Sequence, residues 1–140
     1  MKKDIVVVSG YFLAHVIEHK GYHKYIQAAR KLADKYDASL VAIISSTKQQ
    51  IMKYGRQIRD VADIVREWRN YVDDCFVAID EDRTCRKTLE MLRDRYSKVI
   101  FFKDGNEYNN HNLPEAEVEG IKVMFGNNEK EASSSEILGL

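Results

Sequence analysis

The apolar positions of this chain fall into five short runs, separated by stretches of helical period. Ile5-Val6-Val7-Val8 is a continuous β-branched run ended by Ser9-Gly10. That is the pattern of a parallel strand covered on both faces. Leu40 to Ile44, Cys75 to Ile79, Val99 to Phe102 and Ile121 to Phe125 read as four more strands. Between the first two runs, Tyr25, Ala28, Ala29 and Leu32 recur at spacings of three and four, which makes one apolar helix face. Ile58 to Tyr71 has helical periodicity through Ile58, Ala62, Val65 and Trp68, and Val72-Asp73-Asp74 stops it. Thr84 to Tyr96 is a helix with Thr88, Leu89 and Leu92 as its buried stripe. Glu115 to Glu119 is a short helix closed by Gly120. Ser133-Ser134-Ser135 caps a last short helix, Glu136 to Leu138. Residues 47–60 are polar and basic, with Gly55 as the turn. The alternation predicts an α/β fold: a Rossmann-like, doubly wound, five-stranded parallel sheet in one domain spanning residues 1–140.

Composition narrows the partners. The 22 Lys and Arg balance 22 Asp and Glu, so no global basic field suggests a nucleic acid. A small charged ligand held by a local cluster fits this balance. Cys75 and Cys85 lack metal-ligand spacing and read as reduced packing thiols. Met1-Lys2-Lys3-Asp4 runs straight into a strand and no apolar run reaches membrane-spanning length. The expectation is a soluble, cytoplasmic protein without a membrane partner.

Ligands of such sheets sit beyond the carboxyl ends of the strands. The loop there, Gly10 to His23, carries His15, His19 and His23, three of the four histidines, together with Gly21. Histidine donors and exposed amides at a helix N-terminus suit phosphate. Lys48, Lys53, Arg56 and Arg59 follow the second strand, either as an anion clamp or as a solvated basic surface. Ser133, Ser134 and Ser135 offer hydroxyls for phosphate beyond what one cap needs. Asp73-Asp74 and Asp80-Glu81-Asp82 have the chemistry to hold magnesium, but strand-end and helix-start acids are the simpler reading.

Several motifs then line up in order. Val8-Ser9-Gly10-Tyr11-Phe12 precedes His19-Lys20-Gly21-Tyr22 and Tyr25-Ile26-Gln27-Ala28-Ala29. Lys53 stands before Gly55, Tyr71-Val72-Asp73-Asp74 before a strand, and Asp82-Arg83-Thr84 before a Thr88-Leu89 helix, with Ser133-Ser134-Ser135 last. Over nearly its whole length the chain resembles the cytidylyltransferase-like nucleotidyltransferases, the His-x-Gly-His group that includes glycerol-phosphate and ethanolamine-phosphate cytidylyltransferases. The resemblance implies transfer of a nucleotidyl group, CMP favoured, from a nucleoside triphosphate to a phosphorylated small alcohol or sugar, releasing pyrophosphate. CTP is the favoured donor, with ATP as the other candidate. It implies catalytic roles for His19, Tyr22, Lys53 and for His15 or His23. It gives Gly10, Tyr11, Phe12, Gly21, Arg59 and Ser133 to Ser135 to the nucleotide and its phosphates. It further implies Mg2+ arriving with the nucleotide, no metal held by the protein alone, and a homodimer, to which Trp68 and Tyr71 would contribute. The departures are specific. Leu13 replaces an aspartate, Tyr22 the second motif histidine and Thr47 another aspartate. Val61-Ala62 stands where an arginine opens a helix, and Lys103-Asp104-Gly105 where the family has a glycine-aspartate loop. The alternative is a catalytically impaired relative that binds a nucleotide or phosphorylated metabolite without turnover.

Overall fold

The computed structural model describes residues 3–104 and 113–126. In chain order the elements are β1 (Asp4–Gly10), α1 (Lys20–Lys35), β2 (Ser39–Ile44), α2 (Thr47–Tyr54), α3 (Val61–Trp68), β3 (Asp74–Val77), α4 (Arg86–Arg95), β4 (Lys98–Asp104) and β5 (Lys122–Gly126). Short 3-10 turns cover Val16–Glu18 and Pro114–Glu117. The strands form one parallel sheet in the order β3-β2-β1-β4-β5, so the winding direction reverses at β1. This is the doubly wound, Rossmann-like fold that the run pattern predicts.

Strand periodicity divides the core into two. Val6, Val8, Leu40, Ala42 and Ile44 point to the face covered by α1 and α3, where Ile26, Ala29, Ile64 and Trp68 pack. Ile5, Val7, Val41, Ile43 and Phe101 point to the other face, against Leu89 and Leu92 of α4. Because β1 and β2 are buried on both sides, neither alternates polar with apolar residues.

The largest difference from the sequence reading is α2, which the polar segment 47–60 did not suggest. Ser46 and Gln49 form a reciprocal capping box, and Gly55 ends the helix at φ 80°. Its buried positions are glutamines. Gln49 donates to the carbonyls of Asp82 and Thr84, at 2.7 and 2.8 Å. Gln50 accepts from the amides of Ile58 and Arg59 and donates to the Arg59 carbonyl. The third helix is shorter than the predicted 58–71, because Asp60 caps it by accepting from the Ala62 amide at 2.8 Å. The helix expected at Glu115 to Glu119 is the 3-10 turn, with Gly120 at φ 83°. The predicted last helix and its serine cap lie outside the described residues. No described helix is long and apolar enough to cross a membrane.

Candidate functional site

β1 pairs with β4 from Asp4 with Lys98 to Val7 with Phe101, whereas it follows β2 as far as Gly10. Past Val7, two side chains tie the diverging ends together. The Tyr25 hydroxyl, from α1, donates to the Phe102 carbonyl at 2.5 Å and accepts from the Ser9 amide at 3.3 Å. The Lys103 ammonium donates to the Ser9 carbonyl and to Ser9 Oγ, at 3.3 and 3.4 Å. Reversal of strand order opens a crevice at this end of a parallel sheet.

A cavity of about 200 Å³ occupies that crevice. Ser9, Gly10 and Tyr11 line it from the end of β1, Ser45 and Lys53 from the β2–α2 segment, Arg83 and Thr84 from the loop before α4, Lys103 from β4, and Glu115 from the turn before β5. Three cations thus face one acid. Lys53 and Arg83 have no carboxylate partner among the described residues, and Lys53 lies 4.6 Å from the centre of the Tyr11 ring. Three other basic residues of this region are paired: Lys48 with Glu81, Arg59 with Glu67 at 2.9 Å, and Arg86 with Asp82 at 3.3 Å. Cations without a carboxylate partner, gathered round a concavity, raise the local potential for an anion.

Of the residues singled out from sequence, Gly10, Tyr11 and Lys53 line this cavity. His15, His19, Tyr22, His23, Phe12, Gly21 and Arg59 do not, and Ser133, Ser134 and Ser135 lie outside the described residues. Each displaced residue has structural work. His19 is the N-cap of α1, and its Nδ1 accepts from the Tyr22 amide at 3.1 Å. Its ring stacks on Tyr22, centroids 3.6 Å apart. Tyr22 is buried against Phe12 and Trp68. Phe12 holds a left-handed φ of 53° and stacks on Trp68 at 3.8 Å. A Cβ on Gly10 would sit 2.8 Å from the Phe12 ring, so glycine is required there. His15 packs beside Glu67 and Arg59, each 3.2 Å from its Nδ1, while His23 meets the edge of Tyr71. Trp68 is 0% exposed within its own chain, so it cannot supply the two-fold contact expected of it.

The acids also act locally. Asp80 caps α4, accepting from the amides of Lys87 and Thr88 and from the Thr88 hydroxyl. Asp73 accepts from the Leu40 amide and pairs with Arg30 at 2.8 Å. Burial raises the Glu67 carboxyl, but hydrogen bonds from Arg59 and His15, with the Arg59 charge and the Val16 amide, bring it below the ordinary range. Burial, and then the Glu115 charge, push the Cys85 thiol well above its usual value, which favours the neutral thiol.

Sequence reasoning passed over Lys103, Arg83 and Glu115 as site residues. Lys103 was visible as a break in a motif, and Arg83 as part of a matched one. Nothing local marks Glu115, which meets the Cys85 amide from 30 positions away.

His19 is only 2% exposed, and burial lowers its pKa from 6.5. The folded chain therefore binds this proton less readily than the unfolded chain. Stability is complete above about pH 6.5 and falls as the pH drops below it. The expected result is a melting temperature that declines as the pH falls below 6.5 in the wild type. His19→Asn keeps an acceptor for the Tyr22 amide and should flatten that decline, each unit of depression being worth about 1.4 kcal/mol. Parallel declines in the two proteins would remove His19 as the cause.

No family model matches the chain, and no curated protein matches it. Among solved structures it is similar to a macrolide-efflux protein from Streptococcus pneumoniae, with a TM-score of 0.58 and 18% sequence identity. The match covers 98% of this chain and 50% of that one, so the chain spans about half the length of that protein. At this identity the likeness is one of fold.

Proposed function

We propose that this chain binds a phosphorylated small molecule, a nucleotide or a phosphorylated metabolite, in the crevice where β1 and β4 diverge. The observation that carries this reading is the convergence of Lys53, Arg83 and Lys103 on one cavity, two of them without an acid partner among the described residues. The Ser9, Ser45 and Thr84 hydroxyls add neutral donors for phosphate oxygens. The motif resemblance supports a nucleotide, CTP before ATP.

Nucleotidyl transfer is the stronger form of this proposal. Such transfers run on positioning and on stabilising the charge of the departing pyrophosphate. Lys53, Lys103 and Arg83 have the charge to do that. His19 is committed to capping α1, so it is not the donor we assign to the reaction. Among the described residues there is no group of three or more His, Cys, Asp or Glu suited to a metal. Magnesium therefore fits as the counter-ion that a nucleotide brings with it, and Glu115 is the one described cavity carboxylate that could touch it.

The test is thermal shift with inorganic phosphate, CMP, CTP, ATP and a phosphorylated alcohol, run beside pyrophosphate release. Ligands that bind only the folded state raise the melting temperature with concentration. Phosphorylated ligands are expected to do so while unphosphorylated cytidine does not. Pyrophosphate release from a triphosphate would establish the stronger form. No shift with any phosphorylated ligand would sink both forms.

A further inference from the structure

Glu115 is the single acid among the described lining residues of a cavity otherwise ringed by cations. A site for anions alone gains nothing from it, because a carboxylate there repels the ligand. Its placement is nevertheless fixed. The residue is 8% exposed, and Oε1 accepts from the Cys85 amide at 3.0 Å and lies 3.6 Å from Cys85 Sγ. Oε2 accepts no hydrogen bond among the described residues. With Oε1 committed to the Cys85 amide, Oε2 is the carboxylate oxygen left for a ligand in a cavity that Glu115 lines.

We propose that Glu115 makes the cavity selective for a phosphorylated ligand that also carries an N–H or O–H donor. Lys53, Arg83 and Lys103 take the phosphate, and Glu115 Oε2 takes the donor. The inference rests on the anion-binding reading above. It adds a second pole, and with it a discrimination that charge alone cannot give. A hydrogen bond from a ligand donor to a carboxylate is charge-assisted and stronger than a neutral one, so the ligand that carries the donor is preferred over the analogue that lacks it. The cavity, about 200 Å³, is smaller than the roughly 300–1,000 Å³ typical of drug-sized ligands. It suits a short phosphorylated amine or alcohol, or the phosphate end of something larger.

Three phosphonates of equal chain length separate the two poles: 2-aminoethylphosphonate, 2-hydroxyethylphosphonate and propylphosphonate. Titration calorimetry on the full chain is expected to show the amine binding about tenfold or more tighter than propylphosphonate, with the alcohol between them. This order runs against the repulsion between the ligand amine and the three cavity cations, so charge on the rim does not produce it. Glu115→Gln keeps a carbonyl oxygen for the Cys85 amide but turns a donor toward the ligand. The preference should vanish in that variant while propylphosphonate binds at least as well as before. Equal binding of amine and methyl analogues to the wild type would overturn the role of Glu115 and leave the anion site standing. A preference that survives in Glu115→Gln would overturn it too. If no phosphonate binds the wild type, the anion reading fails, and this inference fails with it. Should Glu115→Gln not fold, the wild-type series alone decides.

Discussion

Lys103→Met is expected to weaken phosphate-bearing ligands about ten- to a hundredfold, more than any other single change in the cavity. The three cations are not equivalent. Lys53 and Arg83 are exposed, and an exposed charge is screened and mobile. Lys103 is only partly accessible, and its ammonium is held by the Ser9 carbonyl and hydroxyl at the point where β1 and β4 separate. Its charge also lies within 6 Å of the Tyr25 and Phe101 ring centres, a low-dielectric flank. A hydrogen bond to a charged group is worth about 1.5–3 kcal/mol, which gives the stated range. Methionine keeps the stem and its packing and removes only the charge and its donors. Calorimetry with inorganic phosphate and CTP checks this, with the melting temperature of the unliganded variant as the folding control. Unchanged affinity in a folded Lys103→Met protein would place the anion site elsewhere.

Trp68→Ala should cost about 3–5 kcal/mol of folding stability. Trp68 is fully buried at the end of α3 and carries the loop of residues 10–19 on its ring. Phe12 stacks on it at 3.8 Å, and Tyr22 meets its edge at 5.8 Å. Removing the indole opens a cavity that the rigid Phe12 and Tyr22 rings cannot close. It also withdraws the support that holds Phe12 in its left-handed turn. Urea unfolding checks the figure. A loss below about 1 kcal/mol would mean that the loop repacks and that the aromatic cluster is not what fixes it.

These two residues show what the sequence made legible. The strands were readable because burial on both faces leaves uninterrupted β-branched runs. The first helix was readable because its apolar stripe is nearly pure. The second helix escaped because Gln49 and Gln50 fill its buried face, and their hydrogen bonds to loop carbonyls and amides replace hydrophobic contacts. Its capping pair, Ser46 and Gln49, was the available signal. The histidines of the loop after β1 do not line the cavity. Spacing locates a side chain along the backbone, whereas its facing depends on which tertiary contacts win. Here the Tyr22 amide and the Tyr22 ring hold His19. Trp68 sat on a charged helix and looked available to a partner, until the aromatic loop claimed it. Lys103 and Glu115 come from distant segments that only the β4 and β5 crossovers bring beside β1.

The central position of β1 has a consequence for how the chain is made. β1 is synthesised before the other described strands and gains its second neighbour, β4, only after about ninety further residues. A nascent chain that has emerged as far as Val77 can pair β1 with β2 and β2 with β3, leaving Ile5 to Val8 as an open edge. An unpaired, wholly apolar edge strand is a template for pairing with other chains. The same delay means that the proposed cavity cannot form on such an intermediate, since Lys103 and Glu115 arrive only with β4 and the segment before β5. Slow translation through residues 78–97 is therefore expected to raise aggregation, and a factor that covers the bare edge of β1 to lower it.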